Sequence, residues 1–196
     1  MEFKRPENFE DILKLQKHLD KNLNNVRPRY LRDIKMSLIA ECVEFNEETK
    51  ESHKTWKTKE YNKSMELEEL TDIYFFYAQM INFNEDTVNN YARIKHLVAV
   101  DFNGWQIKDY GSQVLPTLNL IDNIINDNVL YAIDNLMEMA QKLGYSKDDI
   151  LNCYWEKWQK NMQRIGKEWN WWKNLHIMQK KLWKCLNAHK LRHTGL

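Results

Sequence analysis

Glycine and proline are scarce in this chain, with five and three among 196 residues. Typical usage is roughly 7% and 5%. A β-sandwich or barrel needs turn residues at many short intervals, so both architectures are excluded. Cysteine is scarce too: Cys42, Cys153 and Cys185 are an odd number, far apart, with no C-x-x-C pair. A zinc cluster or disulfide framework does not fit them, and a reducing, cytoplasmic setting does. No stretch approaches the ~18 apolar residues of a membrane span. The N-terminus carries Glu2, Glu7 and Glu10 and no apolar run, so no secretory leader is expected. Charge of one sign is also missing: the net is +1, which argues against a general polyanion binder and makes nucleic acid an unlikely partner. No repeat or low-complexity segment is present. Hydrophobic residues make up 43%, too many for a disordered chain.

What is present is helical periodicity. Helices are expected near 7–25, 30–54, 62–83, 86–101, 114–126, 128–143, 146–166 and 168–188, giving an all-α helical bundle. Asn8 is placed to cap the first and Pro28 to separate the first two. Asn84 with Asp86 reads as a turn and cap. Gly104 to Gly111 reads as irregular. Gly144 closes one helix, and Ser146 with Asp149 three residues on opens the next. Two parts are expected: a domain over 1–167, and a basic, tryptophan-rich helix over 168–196 that packs on the domain or on a second copy.

The chemistry concentrates between Leu31 and Phe83. Leu31, Ile34, Leu38, Cys42 and Phe45 form an apolar stripe, and Glu41 and Glu44 stand three apart along its edge. Leu67, Leu70, Tyr74, Tyr77 and Ile81 form a second stripe, with Met65, Ile73, Phe76, Met80 and Phe83 around it. That helix is apolar nearly all round and should be buried. Glu69 and Asp72 lie within it, again three apart. Solvated faces, or pairing with lysines, would explain one such pair. Two pairs, one inside a buried helix, point to cations, because clustered carboxylates are costly without them. Four acids on two antiparallel helices make an all-oxygen site suited to Mg2+ or Mn2+. A di-iron bundle would need Glu-x-x-His on two helices, and no Glu here has a His three residues on.

Glu41-x-x-Glu44 followed by Glu69-x-x-Asp72 resembles the signature of the all-α nucleotide pyrophosphatases, which include MazG-type enzymes and the dimeric dUTPases. Further segments resemble the dUTPase branch: Leu15-Gln16-Lys17-His18-Leu19-Asp20, Ile39 to Phe45, Lys54-Thr55-Trp56-Lys57, Glu69 to Phe76, and Tyr154-x-x-Lys157-x-x-x-Asn161-x-x-Arg164. The resemblance implies that Glu41, Glu44, Glu69 and Asp72 hold two or more Mg2+ ions. It implies that Gln16 reads uracil, and that Lys54, Trp56, Tyr154, Asn161 and Trp169 belong to the substrate site. Glu41 would be the base, with Lys157 and Arg164 stabilising phosphoryl charge. It further implies hydrolysis of dUTP to dUMP and pyrophosphate by attack on the β-phosphorus, action on dUDP, and a homodimer whose partner subunit approaches the pocket. Two positions depart from the family pattern. Trp169 stands where a tyrosine is frequent, and Arg164-Ile165 replaces Arg-Gln; both bear on nucleotide selectivity.

The residues support the same site without the family. Lys157, Asn161 and Arg164 share one helix face, and two cations with an amide suit a polyphosphate. Trp56 could stack on a base or plug a helix end. Two alternatives stand beside dUTP hydrolysis. One is a MazG-like or dCTP-directed pyrophosphohydrolase on the same scaffold. The other is a regulatory binding protein whose acidic site is vestigial. The tail over 167–196 carries seven Lys or Arg and one acid. Packing or dimerisation, membrane-surface contact and nucleic-acid contact are the readings for it.

Overall fold

A computed structural model describes residues 3–165, except positions 24, 26, 57, 90, 109, 110, 112 and 113. Contacts divide the chain after Gln163, and Arg164 begins the second unit. Seven helices occur among the described residues: α1 (Phe9–Asn22), α2 (Leu31–Glu48), α3 (Lys63–Thr87), α4 (Ala92–Gly104), α5 (Thr117–Ile125), α6 (Val129–Lys142) and α7 (Lys147–Arg164). No strand occurs among them, in agreement with the all-α expectation. The basic tail helix expected over 168–196 and Trp169 lie outside the described residues.

Local chemistry sets several ends. Asn8 Oδ1 accepts from the Asp11 amide at 2.9 Å, capping α1. Asn62 caps α3 by accepting from the amides of Ser64 and Met65. Gly144 takes φ +78° just past α6, where a Cβ would be strained. Ser146 and Asp149 then exchange hydrogen bonds at the start of α7: the Ser146 amide donates to Asp149 Oδ2 at 2.8 Å and the Asp149 amide to Ser146 Oγ at 3.2 Å.

Three expectations are corrected. The second helix stops at Glu48, because Thr49 turns its hydroxyl back to the Asn46 carbonyl and extends at ψ 160°. Asn84 and Asp86 do not form a turn: α3 continues to Thr87. Asn84 is buried inside it and donates to the Tyr91 hydroxyl at 3.3 Å, a partner that only folding supplies. The fourth helix accordingly begins at Ala92 rather than 86.

α3 is the central element. Leu70, Ile73, Tyr74, Tyr77, Ala78, Met80 and Ile81 are fully buried, and α1, α2 and α4 all pack on this helix. α2 runs antiparallel to it: Ile34 lies with Asn82 and Phe83, whereas Glu41 lies with Glu69 and Asp72. α5 and α6 pair with each other and close against α2 and α4 respectively. α7 docks on α1 and α3. The Trp158 indole N–H donates to the Leu15 carbonyl at 2.9 Å, and the Tyr154 ring stacks on Phe75 with centroids 4.0 Å apart. Leu38 is fully buried on α2. Leu38→Ala should cost about 2–5 kcal/mol, read from urea unfolding midpoints.

Candidate active site

The antiparallel pair α2–α3 brings three of the four expected acids together. Glu41, Glu69 and Asp72 each offer a carboxylate oxygen, and these oxygens lie within 4.8 Å of one another. The reason is helical register: residues three apart on α3 share a face, and that face meets Glu41 across the helix pair. The site is half-buried. Burial pushes the Glu41 carboxyl up to about 8, with Asp72, Glu44 and Glu69 adding repulsion and Lys157 opposing it. Glu69 and Asp72 are also raised, burial again leading. Such crowding favours either a proton or a cation, and an all-oxygen donor set suits a hard divalent ion. Glu44 is exposed and stands outside the group of three, although its charge contributes to raising all of them.

Lys157 is the protein's own cation at this cluster. Its ammonium donates to Asp72 Oδ2 at 2.5 Å and to the Glu68 carbonyl at 3.0 Å. Its side chain is only 13% exposed, so this pair is far better shielded than a surface salt bridge. Asn161 lies one turn further along α7 and is half-buried. Arg164 is the last residue of α7 and the first of the second unit.

Gln16 and Tyr154 are placed differently from a pair of substrate contacts. Tyr154 is fully buried, and its hydroxyl donates to Gln16 Oε1 at 2.9 Å. Gln16 Nε2 in turn donates to Asp20 Oδ1 at 2.8 Å. Tyr154 thus spends its hydroxyl on Gln16 rather than presenting it at the surface. Trp56 projects from the connector after α2 and is 75% exposed. Lys54, in the same connector, pairs with Glu47.

Two features were missed in the sequence. Asp20 and Gln79 extend the Tyr154–Gln16 chain, since Gln79 Nε2 donates to Asp20 Oδ1 at 2.5 Å. Burial drives the Asp20 carboxyl up to about 6, against the hydrogen bonds from both glutamines and the attraction of Arg29. Glu66, one turn before Glu69, is 1% exposed and accepts from the hydroxyls of Tyr61 at 2.9 Å and Tyr145 at 2.8 Å. It ties the connector and the start of α7 to α3. The available signal was a polar residue on a helix otherwise apolar all round; Glu66 and Gln79 both carry it.

The site is an oxygen-only acidic centre on an antiparallel helix pair inside an all-α bundle. A family model for dUTPase matches residues 8–169. The chain belongs to that family, the dimeric all-α dUTPases, and is an enzyme of dUTP hydrolysis. No curated protein matches the chain. No helix among the described residues is long and apolar enough to cross a membrane.

Proposed function

We propose that this enzyme hydrolyses dUTP to dUMP and pyrophosphate with Mg2+, acts on dUDP as well, and works as a homodimer. The observation that carries the metal requirement is the Glu41–Glu69–Asp72 cluster, whose oxygens converge within 4.8 Å. Two or more divalent ions bound there would neutralise phosphate charge and make water more acidic. Glu41, Glu69 and Asp72 are the core ligands, with Glu44 joining from the rim. Glu41 takes the proton from the attacking water. Lys157 is held at the edge of the cluster by Asp72 and Glu68, where its ammonium can turn to a phosphoryl oxygen. Asn161 and Arg164 continue that face of α7 by helical spacing, and Gln16 reads the base.

Exposed apolar residues support a second copy of the chain as partner. Leu118 and Ile125, 80% and 56% exposed, stand seven apart on α5. Met36 and Val43, also exposed, stand seven apart on α2, which packs against α5. Two-fold dimers are the commonest homo-oligomers.

The test is a substrate panel of dUTP, dUDP, dCTP and non-standard purine nucleotides with Mg2+, read by phosphate and pyrophosphate release. Preference for dUTP with turnover of dUDP is expected. Preference for dCTP or a purine would move the enzyme to a MazG-like or dCTP-directed specificity. No turnover of any nucleotide would leave a binding protein. Sedimentation equilibrium at micromolar concentration should give twice the chain mass, and a clean monomer that still hydrolyses dUTP would remove the dimer.

A further inference from the structure

α7 carries Lys157, yet its backbone does little to fix it. Among the described residues the other helices pack in close pairs, whereas α7 belongs to none of those pairs and is held by long side chains. Tyr154 reaches Gln16 and Phe75, and the Trp158 indole reaches the Leu15 carbonyl. A helix hung on side chains along one face keeps freedom to roll and slide about them. Its register then depends on what holds it elsewhere.

The segment before α1 supplies that hold. It runs antiparallel to α7, with Arg5 at Asp148 and Asn152 and Phe3 at Trp158. The Arg5 guanidinium spans a full turn: Nε donates to Asn152 Oδ1 at 2.5 Å and Nη2 to Asp148 Oδ1 at 2.6 Å. Asp148 and Asn152 stand four apart on one face, so one planar fork fixes both rotation and slide. Two residues back, the Phe3 ring centre lies 5.1 Å from that of Trp158 and 4.3 Å from that of His18 on α1. Trp155 stacks on Trp158 at 5.2 Å. Trp158, the residue after Lys157, is thus enclosed by three rings, one of them from this segment. Pro6 is buried, and its fixed φ stiffens the path from Arg5 to the Asn8 cap. The Arg5–Asp148 pair is exposed and contributes little to stability, so its consequence is geometric.

We propose that Phe3 and Arg5 are positioning residues: the segment over 3–8 clamps α7 in the register that sets the Lys157 ammonium against Asp72 and Glu68. For turnover this rests on the role given to Lys157 above, and for geometry on the clamp alone. Lys157 lies 2.5 Å from Asp72 and is 13% exposed, so its amine is shielded only while α7 keeps that register. A displacement of about 1 Å at a group that meets the reacting phosphates can cost roughly 100-fold in rate.

Acylation of lysine amines by acetic anhydride, read by peptide mass spectrometry, tests this alongside dUTP turnover with Mg2+. The proteins are wild type, Arg5→Gln, and the double variant of Phe3→Ala with Arg5→Gln. Lys157 should be acylated at least about 5-fold faster in the double variant than in wild type, because local opening releases it. Lys95 on α4, held by both oxygens of Glu85, should keep its wild-type rate. kcat should fall about 10-fold with KM much less affected, because Lys157 acts on charge that develops in the transition state. Arg5→Gln alone should show the same changes at smaller size. Unchanged protection of Lys157 in the folded double variant, judged by its thermal unfolding, overturns the proposal. So does a rise at Lys95 that matches the rise at Lys157, since it marks general loosening. If the double variant does not fold, Arg5→Gln decides by the same two rates, its bonds being exposed. Lys157 unmasked with turnover unchanged leaves the clamp standing and removes Lys157 from the phosphoryl site. Labelling needs no substrate, so it decides the clamp even where wild type hydrolyses no nucleotide and the proposed reaction falls.

Discussion

Glu41→Gln should abolish dUTP turnover while leaving helical content at the wild-type level. Glu41 stands against Glu69 and Asp72 in a half-buried cluster, and on the function proposed above its charge serves metal binding rather than the fold. A residual activity above about a tenth corresponds to a loss under ~1.4 kcal/mol of transition-state stabilisation and would remove Glu41 from the core ligands. Thermal unfolding of the metal-free variant should move upward, because a crowded carboxylate no longer repels its neighbours. Asp72→Asn should be equally inactive but gain less stability. Asp72 is the partner of the Lys157 ammonium, which is 13% exposed and would lose its counter-charge. A stability gain in Asp72→Asn as large as in Glu41→Gln would contradict that pairing.

Metal-free protein should become less stable as pH rises from about 4.5 to about 8, and Mg2+ should remove the loss. The Glu41 carboxyl binds its proton more tightly folded, up to about 8, than its ordinary 4.5. A group raised in this way favours the folded state fully below its unfolded value and loses that contribution as pH climbs through the folded one. Glu69 and Asp72 are raised in the same sense, and Asp20, up to about 6, adds to the lower part of the window. With chelator present, Tm at pH 8 should lie below that at pH 5 by more than about 4 °C, the shift that roughly 1 kcal/mol produces in a chain of this size. Saturating Mg2+ should raise Tm chiefly at pH 8, where the ion does not compete with protons. A metal-free protein that gains stability from pH 5 to pH 8, or no response to Mg2+, would count against the carboxylates as a metal site.

Elements with a local cause were legible in the sequence. Asn8 caps α1 and Ser146 with Asp149 opens α7 because those bonds join residues three apart, and sequence distance is then spatial distance. The end of α3 was misread for the converse reason. Asn84 looks like a turn former in isolation, but it is satisfied by Tyr91 within a buried helix.

The acidic centre divides along the same line. Spacing alone puts Glu41 with Glu44, and Glu69 with Asp72, on single helix faces, because a three-residue interval is nearly one turn. Composition set the helical class, since a chain so poor in glycine and proline cannot supply the turns of a β fold. Which acids meet depends on helix packing. The packing of α2 against α3 turns Glu41 inward and leaves Glu44 at the rim, and the docking of α7 sets Lys157 on Asp72 across 85 residues of chain. The buried line from Tyr154 through Gln16 and Asp20 to Gln79 is likewise tertiary. Gln16 and Asp20 are one turn apart on α1, but the bonds from Tyr154 and Gln79 join three helices across 138 and 59 residues, and burial makes each of them matter.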